Sequence, residues 1–371
     1  MAEQADAGDL KSSGGDTPCG FDSHPPHSAF MPVSRLTIET GFLFYKLDND
    51  NLSNGHGEWY LNPKIVFMGS PEFALPALSK LVENYDVQGV ITQPDKPAGR
   101  GNLLSPPPVK TLAEKLKIPC IQPLKLNDPQ ILAQIRAWQP DLIVVAAYGK
   151  ILKPDILHFP PYGCLNIHAS LLPRWRGAAP IVAAILAGDQ ETGVTIMKMA
   201  EGIDSGPILK QRTIPILDQD NTLSLSQKLS VLGADLLLET IPDYLNGECL
   251  PIPQNDSQAT YAPMIDKNDG FLDFCLPAIE LWRKIRAYNP WPGSFTTINH
   301  QRMIILEAQI YHQQPKDMQP GQTLILENMP IIVTSDKCLA IVTLQMAGKK
   351  PVSGKEFLNG FRSWGKITLP S

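Results

Sequence analysis

Leu142-Ile-Val-Val-Ala-Ala147 is the stretch on which the reading of the fold turns. It is an unbroken apolar run of strand length, which fits a strand buried on both faces. Such strands belong to parallel sheets, whose crossovers demand helices between them. Upstream, Lys64-Ile-Val-Phe-Met68 ends at Gly69 as a first strand, and Val87-Gln-Gly-Val-Ile-Thr92 reads as a second. Helix-spaced apolar residues fill Pro71 to Val82 (Phe73, Leu75, Leu78, Leu81, Val82), and Pro107–Lys117 and Asp128–Trp138 read as further helices, with Asp128 as N-cap. Downstream, Gly163-Cys-Leu-Asn-Ile167 is another strand, Gly177 to Gly188 a helix of small residues, and Thr222 to Asn246 one long helix. The rhythm predicts a Rossmann-like, doubly wound α/β sheet.

After a turn-rich stretch the texture changes again. Phe271–Phe274, Ser294–Ile298, Met303–Gln309, Gln322–Leu326, Ile331–Thr334 and Ala340–Gln345 are short strand-like pieces, with one helix near Pro277–Ala287. They predict a small β-barrel. The expected division is an extension over 1–62, an α/β domain over 63–250, a linker over 251–266 and a β-domain over 267–371. Residues 1–62 are rich in Gly, Ser, Asp, Asn, Pro and His and resemble neither a secretory signal nor a transit peptide. They read as a disordered extension, or as sequence preceding a later start such as Met31.

Composition bounds the function classes. The 371 residues are 43% hydrophobic and 19% charged, with 35 prolines, enough for two domains rich in rigid turns. No apolar run reaches the length of a membrane span. The six cysteines lack metal-ligand spacing and read as reduced thiols, so no metal is expected. The net charge of −5 is uneven: residues 1–62 carry three basic and nine acidic side chains, residues 267–371 twelve and eight. A locally basic C-terminal third permits contact with nucleic acid without requiring it.

The first strand–turn–helix invites a dinucleotide, but Gly69-Ser-Pro-Glu-Phe lacks the glycine spacing that lets a pyrophosphate approach a helix. The chemistry concentrates instead in Gly163-Cys-Leu-Asn166-Ile-His168-Ala-Ser170-Leu-Leu-Pro173-Arg174-Trp-Arg176-Gly177. Asn166 and His168 are two apart at a strand end, so their side chains point the same way. An amide donor and an imidazole thus share the carboxyl edge of a parallel sheet, where α/β proteins hold ligands. Alone, such a pair more often marks a structural histidine.

The run from Asn166 to Pro173 resembles the signature of the folate-dependent formyltransferases. Gly193-Val-Thr-Ile-Met-Lys-Met-Ala-Glu201-Gly-Ile-Asp204-Ser-Gly-Pro-Ile208 is similar to the loop that supplies that family's catalytic aspartate. The resemblance spans roughly residues 64–360 and implies Asn166, His168 and Asp204 as catalytic residues. It implies 10-formyltetrahydrofolate as formyl donor, a reduced folate contacted by Ser170, Leu171, Leu172 and Pro173 and by the backbone of Ala146, Ala147, Tyr148 and Gly149. The trio suits the reaction. An amine adding to a formyl carbon creates an oxyanion, which Asn166 and protonated His168 can stabilise, each such donor contributing roughly 3 kcal/mol. Asp204 can hold His168 cationic and relay a proton from the attacking amine to the leaving nitrogen.

Family members differ in acceptor: a purine-pathway ribonucleotide, a sugar amine on a nucleotide, water, or aminoacyl-tRNA. Gln93-Pro-Asp-Lys96-Pro97-Ala-Gly99-Arg100-Gly101-Asn-Leu-Leu-Ser105-Pro-Pro-Pro-Val-Lys110 resembles the inserted loop by which the tRNA-directed members engage the acceptor end, with Arg100 as its key residue and Lys96 and Lys110 flanking it. It departs from the family in carrying Asn102 and Leu103 where lysines often follow. Ile285-Arg286-Ala-Tyr288-Asn289-Pro-Trp291-Pro-Gly293-Ser-Phe295 resembles an element of the family's C-terminal domain, an OB-like barrel lying against tRNA. Its basic candidates here are Arg283, Lys284, Lys349, Lys350, Lys355 and Arg362, while Trp291 reads as core. The resemblance therefore implies initiator methionyl-tRNA as acceptor; a monomer and no membrane partner are expected besides. It leaves a sugar-nucleotide formyltransferase, or a tRNA-binding protein without catalysis, as alternatives. Formylated initiator implies a bacterial cytoplasm or an organelle matrix, and a start unlike a transit peptide favours the cytoplasm.

Overall fold

The computed structural model describes residues 62–98, 103–313, 315 and 317–370. The expected extension over 1–62 lies outside the described residues except for its last position, as do Gly99, Arg100, Gly101 and Asn102.

Seven strands build the first sheet: β1 (Lys64–Gly69), β2 (Asp86–Ile91), β3 (Cys120–Ile121), β4 (Leu142–Ala146), β5 (Cys164–His168), β6 (Glu191–Lys198) and β7 (Ile208–Pro215). Their order is β7-β6-β5-β4-β1-β2-β3. The pairs β1–β2, β1–β4, β2–β3 and β4–β5 are parallel, as expected. Strands β6 and β7 close that edge antiparallel, so the sheet is mixed and not wholly parallel. Strand β7, at the edge, alternates buried and exposed residues, whereas β6, between β5 and β7, is buried from Thr192 to Met197.

Alternation along the central strands sorts them onto two cores. Ile65 and Phe67, Leu142, Val144 and Ala146, and Leu165 and Ile167 enter one core, while Val66, Met68, Ile143, Val145 and Cys164 enter the other. The first core lies under helices α1 (Leu75–Asn84) and α5 (Thr222–Leu245). Helix α5 begins at a reciprocal cap between Asn221 and Ser224. Its Gly233 lies so close to β5 that an added Cβ would sit 2.6 Å from Ile167 Cγ2. Helices α2 (Pro108–Lys115) and α3 (Pro129–Ala137) complete the winding, and the Asp128 carboxylate caps α3 through the Gln130 amide at 2.9 Å. Helix α4 runs only over Pro180–Ala187. It starts late because Arg176–Gly177 is extended and pairs in parallel with Tyr261–Ala262, inside the presumed linker.

The C-terminal sheet contains β8 (Ser294–Ile298), β9 (Gln301–Tyr311), β10 (Thr323–Leu326), β11 (Met329–Val333), β12 (Cys338–Met346) and β13 (Val352–Ser353). Its order is β8-β9-β12-β11-β10, with β13 against β12, all antiparallel. No pairing joins β10 to β8 among the described residues, so this OB-like sheet is open. Helix α6 (Ala278–Ala287) and α7 (Gly354–Gly360), capped by Ser353 and Glu356, flank it. Two expectations are corrected. Phe271–Phe274 is no strand; only Phe271 bridges to Phe295. Trp291 is not core but 53% exposed, whereas Trp364 is buried and donates its indole N–H to the Leu324 carbonyl at 2.9 Å.

No helix among the described residues is long and apolar enough to cross a membrane. The five described cysteines are free thiols.

Candidate functional site

The strand order reverses between β1 and β4: the chain adds β2 and β3 on one side of β1, then crosses to place β4 and β5 on the other. At such a switch point the crossovers diverge and leave a crevice beyond the carboxyl ends of the strands. Strand β4 ends there in Ala147, with φ +47°, and Gly149, with φ +76°, both exposed. The Cβ side of Gly149 is open, with only Gln93 Nε2 within reach at 3.8 Å. Between them Tyr148 is buried, and burial pushes its phenol up to about 12. Among the described residues its hydroxyl has no hydrogen-bond partner, an arrangement that costs stability unless something else fills the need.

Strand β5 delivers the next groups. Parity places Asn166 and His168 on the same face as Cys164, opposite to Leu165 and Ile167, and both are buried at 8% and 6% exposure. Register sets Asn166 between Val145 and Met197, and His168 beside Thr195. No described residue hydrogen-bonds the Asn166 side chain. His168 Nε2 lies 2.9 Å from the Trp175 carbonyl oxygen and Nδ1 lies 3.6 Å from Asp204 Oδ2. One ring nitrogen is thus within hydrogen-bond distance of a carbonyl, and the other faces a carboxylate at ion-pair distance.

Asp204 arrives from the loop between β6 and β7, in a left-handed conformation at φ +45°. Its Oδ2 also accepts the Gly177 amide at 2.8 Å. The structure thus brings Asn166, His168 and Asp204 together at one sheet edge.

The segment over Ser170–Pro173 is held by a saturated hub. Thr195 Oγ1 donates to the Ser170 carbonyl at 2.7 Å and accepts the Leu172 amide at 3.1 Å and Gln211 Nε2 at 2.8 Å. The Ser170 hydroxyl donates to the Arg174 carbonyl at 2.6 Å, so it is engaged within its own turn. Beside Leu171 a cleft of about 260 Å³ is lined by Arg174, Trp175, Asp189, Gln190, Glu191 and Thr192. Asp189 takes two hydrogen bonds from Arg174 and one from the Trp175 indole, fixing the residue whose carbonyl meets His168.

The basic candidates separate. Lys96–Ala98 and Leu103–Ser105 form a two-stranded ribbon, with Arg100 between them outside the described residues. Lys96 is exposed; Lys110 is not free, for it donates to Asp95 at 2.9 Å. Hydrogen bonds from Gln122 and Lys110 hold the Asp95 carboxyl below the usual carboxylate range, and the same pairing raises Lys110. Lys284 is spent on the Phe271 carbonyl at 2.7 Å, and burial lowers its ammonium. Arg283 packs against Gly188, where a Cβ would collide with its guanidinium. Lys349, Lys350, Lys355 and Arg362 are exposed. Among the described residues no group of His, Cys, Asp or Glu could hold a metal ion.

Sequence reasoning missed the contribution of the stretch 251–263. Thr260 Oγ1 accepts the Trp175 amide at 2.9 Å, and the Thr260 carbonyl accepts the Arg176 amide at 2.8 Å. Two-residue pairings of this kind leave no periodicity to read.

Residues 64–241 match the formyl transferase family and residues 264–362 match the formyl transferase C-terminal domain. A methionyl-tRNA formyltransferase of Myxococcus xanthus is 44% identical over 301 residues, covering 81% of this chain and 96% of that protein. Its counterpart from Halalkalibacterium halodurans is 46% identical over 300 residues, covering 80% and 94%. Among solved structures, an N-formyltransferase from Helicobacter canadensis, in complex with folinic acid and dTDP-3-aminofucose, superposes with a TM-score of 0.55 at 20% identity, covering 75% of this chain and 99% of that one. That likeness is one of fold.

Proposed function

This chain belongs to the formyl transferase family, and from that premise we propose that it transfers the formyl group of 10-formyltetrahydrofolate to the amino group of methionine on initiator methionyl-tRNA. The observation that carries the reading is identity of 44–46%, over nearly the whole length of relatives named for that reaction, in both halves of the chain. A sugar-nucleotide acceptor has only the distant likeness of fold in its favour.

The switch-point crevice fits a reduced folate: exposed backbone at Ala147 and Gly149 and the open space over Gly149 suit a ring bearing its own donors and acceptors. When bound, 10-formyltetrahydrofolate supplies the electrophilic formyl carbon. The residues of this chain do the rest. Asn166, with its amide idle, and His168 donate hydrogen bonds to the oxygen that gains charge, preorganised in a buried site where such bonds are strong. Asp204, 3.6 Å from the ring, would balance positive charge on it, take the proton that the attacking amine must lose and return it to the folate nitrogen released as the formyl C–N bond breaks. Its second anchor, the Gly177 amide, keeps the carboxylate aimed at His168. An α-amine with a pKa of about 8 needs no further activation near neutral pH. Lys96 on the ribbon, Arg100 in the sequence between its two strands, and the exposed Lys349 and Lys350 are the charges we assign to tRNA phosphates. One copy of the chain supplies every group used, and a bacterial cytoplasm is the compartment that suits the reaction.

The test is formyl transfer from 10-formyltetrahydrofolate to purified initiator methionyl-tRNA by the full chain, with an amino-sugar nucleotide as competing acceptor. Formylmethionine on tRNA is the expected product. Transfer to the sugar amine alone would overturn the choice of acceptor.

A further inference from the structure

The loop that carries Asp204 is fastened less by its own residues than by the strand connecting the two domains. Where the chain enters β7, Ile208 and Ile252 exchange both backbone hydrogen bonds, each 2.8 Å. Two residues on, the half-buried Gln254 side chain turns into the loop. Its amide nitrogen donates to the Asp204 carbonyl at 2.8 Å and to the Gly206 carbonyl at 2.7 Å. Its Oε1 accepts Arg176 Nε at 3.0 Å, and the Arg176 guanidinium, itself 3% exposed, also reaches Asp256 at 2.8 Å. The next residue after Arg176 is Gly177, whose amide holds the Asp204 carboxylate. One side chain therefore spans both ends of the Asp204–Gly177 contact. It grips the aspartate by the main chain and the amide donor through Arg176.

Asp204 needs that grip. A non-glycine residue at φ +45° is held against its own preference, and the surrounding contacts must supply the difference. Gly206 closes the loop so tightly on Lys198 that a Cβ there would collide with its carbonyl. Both polar atoms of the Gln254 amide group are fully matched: the nitrogen's two N–H groups to two carbonyls, the oxygen to one guanidinium N–H. No other common side chain of this length offers two donors and an acceptor from one planar group.

We propose that Gln254 is a positioning residue for formyl transfer, fixing the Asp204 carboxylate against His168. The inference rests on the role proposed above for Asp204. It predicts that losing the amide group slows the chemical step while substrate binding persists. A misplacement on the order of 1 Å at a reacting group costs about a hundredfold, and one of several tethers should cost about ten- to a hundredfold in kcat.

The experiment compares the full-length wild type with Gln254→Met, which keeps volume and removes polarity, and with Gln254→Glu, which keeps the acceptor for Arg176 and removes both donors. Asp204→Asn serves as reference. Formyl transfer to initiator methionyl-tRNA is measured for kcat and for KM of both substrates, and the His168 ring nitrogens are followed by 15N NMR. The expected result is a kcat lowered about ten- to a hundredfold in both Gln254 variants with KM unchanged. The His168 signals should move in the direction that Asp204→Asn moves them. Should Gln254→Met fail to fold, Gln254→Glu carries the same two readouts. Unchanged kcat and unmoved His168 signals, with Asp204→Asn inactive, overturn the role of Gln254 and leave the reading of the site intact. An Asp204→Asn protein as active as wild type overturns both.

Discussion

Gly177 donates its amide to Asp204 while its own Cα faces the Ala262 carbonyl so closely that a Cβ would sit 2.6 Å from that oxygen. With φ at +114°, the position also excludes side chains on conformational grounds. Gly177→Ala should therefore open the pairing with Tyr261–Ala262 and move the amide that holds Asp204. The expected outcome is a loss of about 1–3 kcal/mol in stability, read from the denaturant midpoint, together with a fall in kcat. A fully active, equally stable variant would show that this contact is incidental.

Asn166 makes a separable contribution. Its side chain is buried, has no hydrogen bond to any described residue and stands next to His168 on one face of β5. Asn166→Ala should lower kcat by about a hundred- to a thousandfold, the usual cost of losing one oxyanion donor. Because no structural hydrogen bond is lost, the thermal midpoint should hardly move. Rapid-quench measurement of a single turnover distinguishes this from slower product release.

At the root of the ribbon, Asp95 accepts hydrogen bonds from Lys110 and Gln122. These partners depress its carboxyl in the folded protein. The anchor is therefore complete above the unfolded carboxylate value, about 3.9, and is lost only as pH falls through the lower folded one. The Gln122 side-chain amide signals, followed by NMR during acidification, should hold through pH of about 4 and shift below it. Loss at a higher pH would mean that the carboxylate is not held by these partners.

The two C-terminal tryptophans should behave oppositely. Trp364 fills the core beside Phe357 and Phe361 and satisfies the Leu324 carbonyl. Trp364→Ala should cost about 3–5 kcal/mol. Trp291 is mostly exposed, so Trp291→Ala should stay within about 0.5 kcal/mol of wild type. Equilibrium denaturation of the two variants checks both.

How much of this was legible depended on the kind of signal. The buried strands β1, β4 and β5 announce themselves because runs such as Leu142–Ala146 have no other stable home. Asn166 and His168 follow from parity at a strand end, and Asp204 came through resemblance alone, since nothing local brings a residue of the β6–β7 loop to β5. The edge strand β7 escaped because its alternating polar residues resemble a loop, and the interior strand β6 because Thr192, Gly193 and Thr195 interrupt its apolar run. Trp291 was misplaced because a Pro-Trp-Pro sequence does not reveal which side the ring takes. Ser353 and Glu356 were readable as a capping box three residues apart and were overlooked. Gln254 lies in a proline-flanked stretch whose only long-range ties are single hydrogen bonds, and these have no sequence pattern.

The weave of residues 252–262 through Ile208, Arg176 and Gly177 changes how the polypeptide can be divided. Family matches end at residue 241 and resume at 264, which invites a cut in between. A catalytic half severed at 250 would shed a strand partner for Gly177 and the tether of Asp204, keeping its sheet yet losing the brace of its reactive edge. The two halves are modular by ancestry and by sheet, but their frontier is inlaid: the shortest autonomous enzyme must carry the chain past Ala262.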